Sequence, residues 1–206
     1  MTNLKVTKIL AAIVTVTGCV VMFGWFANIP ILTSILPQWV TMKFSTALCF
    51  GLSGMTLFLA ANTLEGKQEI AKVIIPVGVG GILLLMASLL ASTFLGIRTG
   101  IEDLFVQEKA GAVRTMTPGR PSVGTMVDFI LIALAGILAM LNATKFRAIL
   151  PVLGWIVGPI GLLALIGYVT NMEVLYYTWK GFSTAMAIHT AILFVCLGAG
   201  LIFVGK

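Results

Sequence analysis

Charged residues are scarce in this sequence: Asp, Glu, Lys and Arg make up 10% of its 206 residues, whereas hydrophobic residues make up 59%. The mean hydropathy is +1.10. In soluble domains about a quarter of the residues are charged, so this chain has too few charges to cover a surface in water. The apolar side chains must instead face lipid, and the lipid bilayer is the first partner that the composition implies.

Side chains suited to metal binding and catalysis are also scarce. The chain has one histidine, His189, and three cysteines. Cys19, Cys49 and Cys196 lie in apolar runs, where cysteine acts as a small hydrophobic residue. The sequence has no CxxC, HExxH or GxSxG motif and no phosphate-binding glycine loop. We therefore predict no enzymatic activity, no metal site and no cofactor.

The excess of positive charge does not indicate nucleic-acid binding. The net charge is +6, but the basic residues are dispersed among the connections between apolar runs. They form no basic stripe with interleaved aromatic residues. We predict no nucleic-acid partner and attribute these residues to membrane topology and lipid-headgroup contact.

Apolar runs long enough to cross a bilayer occur six times. They cover residues 7–26, 42–61, 70–97, 123–141, 149–169 and 182–204. None alternates with the period of a strand, so we predict an all-α integral membrane protein with six transmembrane helices. An even number of spans puts both termini on one side. The short basic connection 142–148 favours the cytoplasmic side of the plasma membrane for them.

An internal similarity divides the chain into three parts. Residues 42–54 and 186–198 share the pattern M-x-x-x-T-A-x-x-F-x-x-x-G, and residues 124–133 keep its Thr, its Phe and its last small residue. The preceding helices end alike, in Gly24-Trp25, Gly96-Ile97 and Gly167-Tyr168. This pattern predicts three parallel two-helix repeats, at about 1–62, 63–143 and 144–206, around a pseudo-threefold axis.

The connection inside each repeat contains apolar residues, such as Ile31, Phe105 and Tyr176. Short amphipathic helices at the headgroup level would bury them and could form a lid over the bundle. The alternative is that these side chains simply anchor the connections in the interface.

The repeat register predicts a polar layer near one end of the second helix of each repeat. It contains Ser45, Thr46, Thr125, Thr190 and His189. Asp128 lies about one helical turn deeper. A carboxyl or imidazole group is costly in lipid, so we expect Asp128 and His189 to face the bundle interior and to bind a small ligand or pass a proton. The alternative is that neighbouring hydroxyls or carbonyls satisfy them and that they only hold helices together.

The connection 98–120 contains the widest mix of charged side chains, and such a loop is the best candidate for contacting another protein. The candidate residues are Arg98, Glu102, Asp103, Arg114 and Arg120. A solvated connection without a partner is the alternative.

The repeated pattern resembles the multi-helix membrane module that precedes PAS, histidine-kinase or diguanylate-cyclase domains in bacterial and archaeal sensor proteins. The resemblance extends over nearly the whole chain. It includes Gly24-Trp25 with Ile29-Pro30 and Leu36-Pro37, residues 100–105, residues 117–120 and residues 186–191. The fourth helix departs from it, with Gly124-Thr125-Met126 and Asp128 where Asn-Thr-Ala is expected.

This resemblance implies a sensory module that transmits a change through its last helix. No PAS, kinase or cyclase domain occurs within the 206 residues, so we expect it to signal to a separate protein partner or to act as a homo-oligomer. An accessory subunit of a larger membrane complex is the second possibility. A transporter or channel is a third, although few interior charges define a path.

Overall fold

A computed structural model describes residues 2–66, 70–140 and 148–205, and within these ranges the chain is helical and contains no strand. The helices are α1 (Thr2–Phe26), α2 (Pro30–Thr33), α3 (Phe44–Thr63), α4 (Ala71–Phe94), α5 (Val123–Met140), α6 (Ile149–Thr170) and α7 (Ile188–Gly205). All except α2 are long and apolar enough to cross a membrane. The predicted all-α class with six such helices is confirmed, and the fold is compatible with a multi-pass membrane protein.

Helices α3, α5 and α7 form the centre of the bundle, since each of them contacts the other two. Half or more of the spanning segment of each central helix is buried, against about a third or less for α1, α4 and α6. The outer helices therefore expose most of their apolar side chains to the surroundings, as helices in lipid do.

The contacts between outer and central helices follow a cycle. Helix α1 packs most extensively on α3, α4 on α5, and α6 on α7. Each central helix also contacts a second outer helix: α3 contacts α4, α5 contacts α6, and α7 contacts α1. Every central helix is thus enclosed by two outer helices and the other two central helices.

Three connections lie together at one end of the bundle, and we call residues 27–43, 95–122 and 171–187 the cap. Each contains one short helical piece, namely α2, the 3-10 turn Ile101–Asp103 and the 3-10 turn Glu173–Leu175. We call this end the cap side and the opposite end, where the chain begins and ends, the terminal side. Lys145 and Arg147, which support the orientation prediction, lie outside the described residues.

Helix α7 begins at Ile188, later than the apolar run that begins at Phe182. The backbone N–H groups of this run are bonded elsewhere: Ala185 donates to the carbonyl of Arg114 at 3.1 Å and Met186 to that of Tyr176 at 2.8 Å. The run is therefore held in the cap. An apolar composition alone does not distinguish a buried extended segment from a helix.

Candidate functional site

Three phenylalanines meet where the central helices come together. Phe50, Phe129 and Phe194 come from α3, α5 and α7, and their ring centroids are 4.8, 4.9 and 5.0 Å apart. All three side chains are fully buried. We call this cluster the aromatic triangle. It fills the bundle axis and forms the floor of the region beneath the cap.

The threonines of the predicted polar layer lie between the aromatic triangle and the cap, and Asp128 lies deeper, directly before Phe129. Thr46, Thr125 and Thr190 each precede one phenylalanine of the triangle by four residues, so they share its helix faces one turn closer to the cap. All three threonines are buried. The Thr125 hydroxyl lies 2.8 Å from the Ser122 hydroxyl, which also accepts a bond from the Thr125 N–H. Ser122, the residue directly before α5, therefore caps the start of this helix, and Thr125 is the residue whose N–H it caps.

Asp128 is the most deeply buried ionisable group of the layer. Its side chain has an exposure of 0%, and neither carboxyl oxygen has a hydrogen-bond partner within the described part of the chain. Buried polar groups are almost always hydrogen-bonded, and leaving one unpaired costs about 1–3 kcal/mol or more. The bundle thus holds a carboxyl group that its own described residues do not satisfy.

His189 and Ser45 also have buried polar atoms without hydrogen-bond partners among the described residues. His189 is 8% exposed and lies near the Thr33 carbonyl, but neither ring nitrogen completes a hydrogen bond of normal geometry with the described residues. The buried Ser45 hydroxyl also has no partner there. The structure therefore shows three buried groups with unused hydrogen-bonding capacity beneath the cap. Each of them can still donate to or accept from a bound molecule.

A buried ion pair fixes the cap above this layer. The Lys43 ammonium lies 2.5 Å from one Glu108 oxygen and donates to the Thr115 hydroxyl at 2.8 Å. The Gly119 N–H donates to the other Glu108 oxygen at 2.7 Å. Burial lowers the pKa of Lys43, and the neighbouring Glu108 charge opposes that effect. Lys43 directly precedes α3, so the pair joins that helix to the middle connection of the cap.

A second buried pair closes the same connection on itself. The Arg120 guanidinium donates to a Glu102 carboxylate oxygen and, at 2.7 Å, to the Ile97 carbonyl. Burial alone would raise the pKa of Glu102, but the bonds from Arg120 and its charge leave the pKa lowered. Both side chains are buried. This pair holds the two ends of the connection, next to α4 and α5, close together.

A third group of charges lies at the cap surface. Glu173 accepts from Lys180 at 2.6 Å and from Arg114 at 2.5 Å, and these two cations lower its pKa to about 2. Glu173 in turn raises the pKa of Arg114. Arg114 also has its carbonyl bonded to the Ala185 N–H. The middle connection is thereby tied to the last one as well as to Lys43.

The residues proposed as partner contacts are engaged within the chain. Arg98 and Asp103 form an ion pair of 2.5 Å at the surface. Glu102 and Arg120 form the buried pair, and Arg114 pairs with Glu173. Glu102 and Arg120 are covered by their own connection, whereas Arg98, Asp103 and Arg114 keep an exposed side from which a partner could reach them.

A separate cavity of about 40 Å³ lies on the terminal side of the aromatic triangle. Its lining includes Ser53 and Thr56, whose buried hydroxyls have no partner among the described residues. Most of the other lining side chains are aliphatic, such as Leu57 and Leu201. This cavity has no ionisable side chain in its lining, in contrast to the layer beneath the cap.

No pattern in the sequence indicates the Lys43–Glu108 ion pair. The two residues are far apart in the chain and lie in different connections. A lysine directly before an apolar helix and inside the repeated pattern was the one available hint.

No protein-family model, curated protein or solved structure matches the chain. The candidate site is therefore defined by its geometry alone.

Proposed function

We propose that the chain consists of three parallel two-helix units around a pseudo-threefold axis, with divisions at about 1–62, 63–143 and 144–206. The cyclic packing of outer on central helices supports this arrangement. The aromatic triangle supports it too, because its members occupy equivalent positions of the repeated pattern. Helices α3, α5 and α7 also begin at equivalent residues, Phe44, Val123 and Ile188.

Matching hydrogen bonds in the first and third units support the same proposal. The Trp25 indole N–H donates to the Met42 carbonyl at 2.9 Å, and the Tyr168 hydroxyl donates to the Met186 carbonyl at 2.8 Å. Trp25 and Tyr168 end equivalent outer helices, and the two methionines begin the repeated pattern. Different aromatic side chains thus make the same connection between paired helices.

We propose that this bundle is a non-catalytic sensory module that binds a small polar ligand in the layer beneath the cap. The observation that supports this function is that two ionisable groups, Asp128 and His189, are buried and have no hydrogen-bond partner among the described residues. Ionisable groups within membrane-spanning helices are costly and are usually kept for function. A bound ligand would supply the missing hydrogen bonds and so stabilise one arrangement of the central helices.

The last helix provides a route for the signal. His189 lies at the cap-side end of α7, and Phe194 of the same helix contacts the other two central helices through the aromatic triangle. At the terminal side the Thr7 hydroxyl donates to the Gly200 carbonyl at 3.3 Å, which joins α7 to α1. A shift of α7 on ligand binding would therefore reach the end of the bundle where a partner could respond.

We place this module in the plasma membrane with both termini in the cytoplasm. On the cap side, Lys43 and Arg120 are buried in ion pairs and cannot contact lipid headgroups. This leaves fewer free basic residues on that side than the sequence suggests, which favours the cytoplasm for the terminal side.

Native mass spectrometry of protein extracted from its own membranes tests the ligand-binding function. We expect the wild-type protein to retain a small molecule in fixed ratio, and Asp128→Asn and His189→Gln to lower its occupancy about tenfold, since losing a hydrogen bond to a charged or buried group costs about 1.5–3 kcal/mol. Thr56→Val is the matched control, because it removes a buried unpartnered hydroxyl outside the layer.

Two outcomes would count against this function. If both variants retained the molecule as the wild type does, the polar layer would not be its binding site. If the protein instead came out with other membrane proteins in fixed ratio and with no small molecule, the accessory-subunit interpretation would replace ours.

A further inference from the structure

A second cavity, of about 350 Å³, lies on the cap side between α5, α6 and the last connection of the cap. Leu163 of α6 and Trp179 of the cap line it, and both are about half exposed. The cavity is therefore open along the side of the bundle. A molecule dissolved in the surrounding lipid can reach it without passing through the cap.

The cavity coincides with a departure from the repeated pattern. Gly124 lines it and occupies the position that holds Ser45 in the first unit and His189 in the third. A Cβ atom at Gly124 would lie 3.5 Å from the Met186 methyl group and 3.8 Å from Ile160, which are ordinary contact distances. A side chain at this position would thus fit on the backbone and project into the open space. The absence of one leaves that space open.

The polar side chains of the cavity are uncharged, and apart from the Trp179 indole they are all hydroxyl groups. Ser122, Ser183 and Thr184 line its cap end, and none of its lining residues is charged. The Ser183 hydroxyl accepts from the Val123 N–H at 3.0 Å. The Thr184 hydroxyl is different, because the side chain is only 4% exposed and has no partner within the described residues. The cavity thus offers one unused, buried hydrogen-bonding group beside apolar walls.

We propose that this cavity binds an uncharged membrane-soluble amphiphile whose carbonyl or hydroxyl head pairs with Thr184 and whose apolar part lies beside Leu163. The lack of charged lining residues selects a neutral head, because an ionised group would lose its hydration without gaining a counter-charge. The apolar walls match a ring or chain that is already dissolved in lipid. This site involves none of the residues of the polar layer and does not depend on the sensory function.

Binding of defined probes to the full chain in lipid nanodiscs tests the proposal. The neutral probes are a decyl-substituted benzoquinone and dioctanoylglycerol, and the charged comparison is dioctanoyl phosphatidylglycerol. We expect one of the neutral probes to bind with one molecule per chain and more tightly than the charged lipid. Binding of the quinone alone would identify a ring head, and binding of dioctanoylglycerol alone a glyceride head.

Three variants make the test specific. Gly124→Leu fills the cavity and should weaken binding of the neutral probe at least about tenfold, and Thr184→Val should weaken it about fivefold by removing the hydroxyl. Gly80→Leu is the matched control, since a Cβ there meets nothing within 4 Å. Asp128→Asn should leave probe binding unchanged, which separates this site from the polar layer.

The proposal would be overturned if neither neutral probe bound, if the charged lipid bound as tightly, or if Gly124→Leu bound the probe as the wild type does. Loss of probe binding in Asp128→Asn but not in Gly124→Leu would also overturn it, because the probe would then occupy the polar layer.

Discussion

The Lys43 side chain shows how strongly a single residue can depend on its partner. Both it and Glu108 are almost completely buried, and both carboxylate oxygens of Glu108 accept a hydrogen bond. Two buried charges cost several kcal/mol each in lost hydration, which their mutual attraction offsets only with good geometry. Removing one partner would leave the other charge buried without compensation, whereas removing both would not.

We therefore expect Lys43→Met to lower the free energy of unfolding by about 3–5 kcal/mol, and Lys43→Met/Glu108→Leu to recover most of that loss. Thermal unfolding in a fixed detergent measures both. Arg98→Met is the control, because its pair with Asp103 has a side-chain exposure of 49% on the arginine and should contribute less than about 1 kcal/mol. A Lys43→Met variant as stable as Arg98→Met would contradict this view of the cap.

Among the helices, close packing within each pair depends on small residues. A Cβ at Gly54 of α3 would lie 2.6 Å from the Ala11 carbonyl oxygen of α1, and one at Gly198 of α7 would lie 2.6 Å from the Gly158 nitrogen of α6. Both neighbours are backbone atoms, which cannot move aside. The two glycines occupy the last position of the repeated pattern, and the same close approach occurs in the α1–α3 and α6–α7 pairs.

Gly54→Val and Gly198→Val should each force a helix pair apart and lower the melting temperature of the purified protein by several degrees, since overpacking costs about 1–3 kcal/mol. Gly80→Val places the same side chain in open space on α4 and controls for the change in helix propensity. Equal melting temperatures for all three variants would show that the helix pairs do not rely on these contacts.

Helix boundaries show which parts of the elements the sequence can predict. The apolar runs predict that the central spans begin at 42, 123 and 182, and the central helices begin at Phe44, Val123 and Ile188. Hydropathy alone placed the start of the last span at Phe182, because it cannot detect that the N–H groups of Ala185 and Met186 bond to other parts of the cap.

For the whole molecule, the sequence predicted the six helices and the burial of Asp128 and His189, because charge is costly in lipid wherever it occurs. It did not predict the ion pairs of the cap. Pairs such as Lys43–Glu108 join residues from different connections, and no local pattern specifies them. Nor did it predict the cavity between α5, α6 and the last connection of the cap, because that cavity depends on how the two helices are placed in the bundle.

The proposed orientation can be tested with single cysteines in a cysteine-free background. With both termini in the cytoplasm, Lys109→Cys on the cap side should react with a membrane-impermeant maleimide added to intact spheroplasts, and Lys5→Cys should react only after lysis. Mass-shift labelling on a gel measures both. The reverse pattern would place the cap in the cytoplasm.

The aromatic triangle also determines where a transmembrane voltage falls. Three fully buried rings in mutual contact leave no water along the bundle axis at that level, so the potential drops across this dry region rather than across hydrated space. A charge that crosses the whole membrane potential gains about 2.3 kcal/mol per 100 mV. In the proposed function, a charged ligand that reaches Asp128 lies beside Phe129 and therefore within this drop. The affinity of such a ligand should therefore change with the energised state of the cell, whereas that of a neutral ligand should not.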